Sequence, residues 1–164
     1  MSVVAVKIHK DKIEMAADSI IVHGEADKTP IGKGKIFEIN DVIVGTSGYA
    51  SEGVMLSLFL ENHKPLAATE RDIMAFLLEF QEWKNKNGND VRLQNSYLIA
   101  YKGKAFYVND NYIAEVDNYF AIGYGHQYAE AALYLGHNAR IAVEAACALC
   151  CYVSDPIVVK CMDK

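Results

Sequence analysis

The order of elements legible in this chain predicts an α+β fold: a four-layer α-β-β-α sandwich of antiparallel sheets, in one domain. Three observations predict it. Candidate strands gather in hairpins instead of standing singly between helices. Candidate helices come as two consecutive pairs, whereas a doubly wound or barrel fold alternates each helix with one strand. No linker of biased composition divides the 164 residues, only three of which are proline, so residues 1–164 read as a single domain. A hydrophobic content of 52% suffices for a core at this length.

Each element has its own signal. Val3–Ile8 and Ile13–Ala17 are β-rich and separated by the polar turn His9–Lys12, which makes a hairpin. Ile20–Glu25 is a third short extended piece. Lys35–Asn40 alternates apolar and polar side chains, Asp41 breaks it, and Val42–Val44 resumes as a buried strand ending at Gly45. The glycine-marked loop GTSGYASEG opens a helix with Val54, Leu58 and Phe59 on one face, which fades near His63-Lys64-Pro65. A second helix has Thr69 as N-cap with Asp72 three residues on. Ile73, Phe76, Leu77 and Phe80 then recur at helical spacing, and Gly88 stops the helix. Four strands follow: Ser96–Tyr101, Ala105–Val108, Ile113–Val116 and Tyr119–Ile122, the first two joined as a hairpin around Lys102-Gly103-Lys104. Helices over Gln127–Leu135 and Ala139–Tyr152 and a strand over Pro156–Met162 complete the pattern.

Composition excludes several functions. A net charge of -5 leaves no basic footprint for nucleic acid, and Lys7–Lys12 and Lys33–Lys35 read as solvated strand ends. Cys147 and Cys150 have C-x-x-C spacing, but they sit in the apolar run IAVEAACALCCYV with no His pair following. With Cys151 and Cys161 they are expected to be reduced core thiols, not a redox or zinc motif. No secretory signal and no membrane-length apolar run is visible, so a cytoplasmic protein with no membrane partner is expected.

The chemistry points to the N-terminus. Removal of Met1 makes Ser2 the first residue, with a hydroxyl nucleophile and a free α-amine on the same residue. Two short apolar segments follow and end at Asp18. This is the layout of an N-terminal-nucleophile hydrolase, in which the amine activates its own side chain.

SVVAV…AADS, GKGKIFEI, VIVGTSGYASEG, FAIGYGHQYAEAAL and ALCCYVS, taken with the order of elements, resemble the proteasome β-subunit family, closest in flavour to the bacterial HslV (ClpQ) peptidase. The similarity runs over nearly the whole chain. It implies that Ser2 stands where the family has a threonine nucleophile, and that Asp18 pairs with and orients a catalytic lysine at Lys35. Lys33, two residues away, competes for that role. An ammonium near the terminal amine lowers its pKa from the usual ~7.7–8.0 and leaves more neutral base near pH 7. The resemblance also implies that the Gly45 N–H stabilises the oxyanion, and that Ser19, Ile20, Ile21, Thr46, Ser47 and Tyr49 wall a cleft where a peptide lies as an added strand. It implies a homo-oligomeric ring, peptide or unfolded-protein substrates and an ATP-dependent unfoldase. No cofactor is expected, though there is room for a structural monovalent or divalent cation near the carbonyls of Cys147, Cys150 and Val153.

Two positions depart from the pattern. Tyr124 stands in the loop Gly123-Tyr124-Gly125 where the family has a supporting serine, and Val153 lacks the family's hydroxyl. They favour a second reading, a catalytically inactive assembly or scaffold protein on the same fold. An amidase acting on a small amide is a third.

Overall fold

The computed structural model describes residues 1–23, 27–30, 34–87 and 90–164, with the backbone alone for residues 21–23 and 27–30. Ile20–Glu25 therefore matches a strand only as far as His23, and Lys33 and Gly88 lie outside the described residues.

The elements in order are β1 (Val3–Ile8), β2 (Lys12–Asp18), β3 (Ile20–His23), β4 (Asp27–Pro30), β5 (Ile36–Ile39), β6 (Val42–Ser47), α1 (Ala50–Leu60), α2 (Glu70–Lys86), β7 (Ser96–Tyr101), β8 (Lys104–Asn109), β9 (Tyr112–Glu115), β10 (Tyr119–Gly123), α3 (His126–Tyr134), α4 (Ala139–Leu149) and β11 (Ile157–Asp163). One sheet runs β10-β1-β2-β11 and a second runs β5-β6-β7-β8-β9, every described pairing antiparallel. A two-stranded ribbon, β3-β4, was not foreseen beyond its first strand.

The layers follow from the two-residue period of a strand. Along β1, Val3 and Ala5 face α3 and α4, meeting Ala129, Ala142, Val143 and Ala146. Val4 and Val6 face the second sheet, meeting Ile43, Leu98 and Ala100. On β6 and β7 the other face carries Val42, Val44, Tyr97 and Ile99 onto Phe59, Phe76 and Phe80 of α1 and α2. Three apolar clusters thus fill the three gaps between four layers, and the predicted α-β-β-α sandwich is the one observed. Each fully buried Val, Met, Ile or Leu in the central cluster contributes roughly 1.5–3 kcal/mol through its removal from water. The outer layers differ in grain: alanines bring α3 and α4 close to their sheet, while aromatic rings seat α1 and α2.

Side-chain caps close the starts of two of the four described helices, α2 and α4. The Thr69 side chain accepts from the Asp72 N–H at 3.1 Å, the cap read from sequence, and Asn138 caps α4 by accepting from the Ile141 N–H at 2.9 Å. The expected face of α1 needs correction. Leu56, Phe59 and Leu60 turn inward, while Val54 and Leu58 are 54% and 48% exposed. That helix is apolar on all sides, so its periodicity selects no face. The cysteines also need correction: only Cys150 is buried, Cys147 is half-buried, Cys151 and Cys161 are exposed, and all four are free. α4 ends at Leu149, which leaves Cys151 in the turn beyond, and Cys161 lies on the edge strand β11.

Gly45 sits where β6 packs directly against β1 and β2 of the other sheet. A Cβ there would lie 2.5 Å from Val4 Cγ1 and 3.0 Å from Met15 Sδ. Gly45→Ala is expected to destabilise the fold by about 1–3 kcal/mol through overpacking, measured by urea denaturation.

Candidate active site

Ser2 precedes β1 and is only 3% exposed. Its main chain is held on both sides. The Ser2 carbonyl accepts from the Gly125 N–H at 3.2 Å, and the next amide, Val3 N–H, donates to Asp18 Oδ1 at 2.9 Å. The β1–β2 register, with Val4 opposite Ala17, brings that amide to Asp18 at the end of β2. Gly123, at φ 92°, closes against the same carbonyl. A Cβ there would stand 2.3 Å from the Ser2 oxygen, so no other residue lets the β10–α3 loop come this near.

Lys35 comes from the opposite sheet, immediately before β5. Its carbonyl accepts from the Thr46 N–H at 2.8 Å, which locks its backbone to β6. Its Nζ donates to Asp18 Oδ2 at 2.6 Å and to the Met1 carbonyl at 3.0 Å. The Met1 carbonyl belongs to the peptide group whose nitrogen is that of Ser2, so the ammonium lies beside the atom that removal of Met1 would free. The structure thus brings Ser2, Asp18 and Lys35 together.

The electrostatics follow from burial. Asp18 is fully buried, and its carboxyl is pushed above the ordinary carboxylate range, with Lys35 and the main-chain donors of Val3 and Ile20 opposing the shift. Burial pushes Lys35 below the ordinary lysine range, and Asp18 opposes that. The Met1 α-amine is lowered first by burial and then by the Lys35 charge, against Asp18. The half-buried Cys147 thiol is pushed up to about 12 by burial and the Asp18 charge, which keeps it a neutral thiol and a poor nucleophile.

The other expected residues divide. Ser19 and Ile20 are buried beside Asp18, and Ser19 Oγ has no partner among the described residues. Ile21 pairs through its backbone with Thr29, and its side chain lies outside the described residues. Thr46, Ser47 and Tyr49 form the corner between β6 and α1, with Ser47 Oγ only 2.9 Å from where a Gly123 Cβ would stand. Tyr124 is 56% exposed and meets Tyr152 edge-on at 4.7 Å, and its hydroxyl has no partner among the described residues.

The oxyanion role expected of Gly45 does not fit its place in the ladder. Because the Thr46 N–H goes to Lys35, just before β5, strand alternation turns the Gly45 N–H the other way, toward Leu98 on β7. The next N–H on the Thr46 side beyond the strand end belongs to Gly48. It has no acceptor among the described residues, and Gly48 is exposed. Its φ of 140° is a conformation that glycine adopts freely and other residues rarely do.

Among the described residues no three His, Cys, Asp or Glu side chains converge to hold a metal, and no helix is long and apolar enough to cross a membrane.

No family model and no curated protein matches the chain by sequence. Solved structures do match it in shape. BPH from Thiobacillus denitrificans, in complex with epoxomicin, superposes with a TM-score of 0.84 at 20% identity over 98% of each chain. Eukaryotic HslV from Trypanosoma brucei gives 0.76 at 20% identity over 99% of each chain. Anbu, an ancestral β-subunit from Yersinia bercovieri, gives 0.73 at 16% identity over 99% of this chain and 81% of that one. The chain therefore shares the fold of these HslV and Anbu structures, the architecture that the sequence landmarks implied.

Lys35→Met leaves the Asp18 carboxylate buried without its counter-charge. The expected loss is about 3–5 kcal/mol near neutral pH, as for a broken buried pair. Asp18 already titrates above its ordinary value. As pH falls through that raised value, the lone carboxyl takes up a proton and the deficit against wild type shrinks. Denaturant titrations at pH 7.5 and pH 5 check both parts.

Proposed function

We propose that the chain is an HslV-like peptidase whose nucleophile is Ser2 after Met1 is removed. The observation that carries this reading is the Lys35 ammonium, bonded at once to the buried Asp18 and to the carbonyl of the Met1–Ser2 peptide group. Once Met1 is gone, the Ser2 nitrogen is a terminal amine next to that ammonium, which favours its neutral, proton-accepting form. Ser2 Oγ attacks a substrate carbonyl and the α-amine takes the hydroxyl proton. The oxyanion is received at the β6–α1 corner by the Gly48 N–H, in place of the Gly45 N–H first expected. The amine returns its proton to the leaving nitrogen, an ester on Ser2 remains, and water activated by the same amine hydrolyses it. Asp18 keeps Lys35 charged and aimed. The substrate enters as an extended strand between Ser19–Ile21 and Thr46–Tyr49.

The same reading includes a homo-oligomeric ring, to which the outward Val54 and Leu58 of α1 lend support, with an ATP-dependent unfoldase as partner and a cytoplasmic location. No cofactor enters the chemistry. Carbonyls at and just beyond the end of α4, those of Cys147, Cys150 and Val153, are hard donors of the kind a structural cation takes, and no step passes through one. A second reading, an inactive scaffold, is favoured by Tyr124, which packs on Tyr152 and brings no hydroxyl to Ser2.

Protein from its native host is expected to lack Met1 by intact mass and to gain one peptide-epoxyketone adduct, mapped to Ser2. Ser2→Ala is expected to lose the adduct and at least ~10³-fold of peptide hydrolysis. Met1 retained together with no adduct overturns the peptidase and leaves the scaffold. Asp18→Asn removes the charge that holds the Lys35 pKa up, so Lys35 loses its proton at lower pH. The alkaline limb of the activity profile is expected to move toward neutral pH.

A further inference from the structure

A second buried ion pair lies outside the chemistry just described. Glu52, in the first turn of α1, and Lys84, near the end of α2, are both buried and bonded to each other. Glu52 Oε1 also accepts from Tyr97 Oη at 2.6 Å and from the Asn95 N–H at 3.0 Å, and both its oxygens accept from the Gln94 N–H. Lys84 Nζ donates further to the Arg92 carbonyl at 2.7 Å. The pair therefore fixes the segment leading into β7. Its product is the placement of one side chain, Asn95, which is 2% exposed.

Asn95 grips the corner that follows β6. Its Oδ1 accepts from the Tyr49 N–H at 2.5 Å, while its Nδ2 donates to the Tyr49 carbonyl and to Thr46 Oγ1, each at 2.9 Å. Gly48 lies beneath this grip: a Cβ there would stand 2.1 Å from Asn95 Oδ1. We infer that Asn95, held by Glu52 and Lys84, is a positioning residue that fixes residues 46–49 in the conformation that receives substrate main chain and oxyanion. Asn95 touches no reacting atom. It acts by holding Thr46 Oγ1 on one side and both main-chain groups of Tyr49 on the other, which brackets the Ser47–Gly48 peptide that carries the proposed oxyanion donor.

This inference rests on the peptidase reading, and its test separates the two. Asn95→Ala is compared with wild type by amide hydrogen exchange and by epoxyketone labelling and peptide hydrolysis across pH. The expected result is exchange at least ~10-fold faster over residues 46–53 and unchanged in β1 and β2. The expected kinetic result is a kcat/KM lower by about 10- to 100-fold, as for a small misplacement of bound substrate, with the acid midpoint of the profile unmoved because Lys35 and Asp18 are untouched. Asn95→Ser, too short to reach both groups of Tyr49, serves if the alanine variant does not fold. Unchanged exchange over the corner, or faster exchange with unchanged kcat/KM, overturns the inference. A wild-type chain that neither labels nor cleaves overturns the peptidase reading instead, and the exchange arm still decides whether Asn95 holds the corner.

Discussion

Asp18 is a carboxylate with no access to water, and such a group is stable only if its oxygens are met by donors. The Val3 N–H meets one and the Lys35 ammonium the other. Hydrogen bonds to a charged group contribute about 1.5–3 kcal/mol each, more than ordinary ones. Their geometric effect is larger. Val3 opens β1 and Lys35 precedes β5, so a single side chain ties the first strand of one sheet to the first strand of the other. The region around Ser2 cannot drift without undoing both ties. Desolvation pulls both members of the pair toward neutrality, and close contact holds them charged.

Much of this arrangement was legible in the chain, for reasons specific to particular residues. Asp18 and Lys35 each stand at the edge of an apolar segment, where a strand ends and a charged side chain can turn into a cleft. Helix α2 declared itself through Thr69 and a clean spacing of Ile73, Phe76, Leu77 and Phe80. Helix α1 did not declare its face, because apolar residues on every side carry no periodic information. The choice between Gly45 and Gly48 was equally hidden. Both are glycines after β-rich residues, and which N–H points outward depends on the β5–β6 register, a property of two strands and not of one. Asn95 lay beyond reach because its partners at Thr46 and Tyr49 are more than forty positions earlier.

Two buried ion pairs therefore flank the proposed cleft from different directions. Asp18 with Lys35 governs the start of β1, where Ser2 stands. Glu52 with Lys84 governs the segment before β7 and, through Asn95, the corner after β6. Ser47 and Ser96 lie opposite each other in the β6–β7 ladder, so the held corner continues directly out of the central sheet. Neither pair shares an atom with the other. The sheets join the two mechanically, so the close packing at Gly45 bears on both.

The alanine layer beneath α3 and α4 makes the two outer faces of the molecule unequal in their tolerance of sequence drift. Where Phe59, Phe76 and Phe80 seat α1 and α2, a lineage can trim a ring and leave a void that neighbours partly fill. Beneath α3 and α4 most of the buried side chains are already alanine, so drift at those positions adds bulk, and added bulk wedges the helices off the sheet that carries Ser2 and Asp18. Variation on that side should therefore be confined to the outward surface of the two helices, leaving their inner stripe small across any set of descendants that keep the cleft.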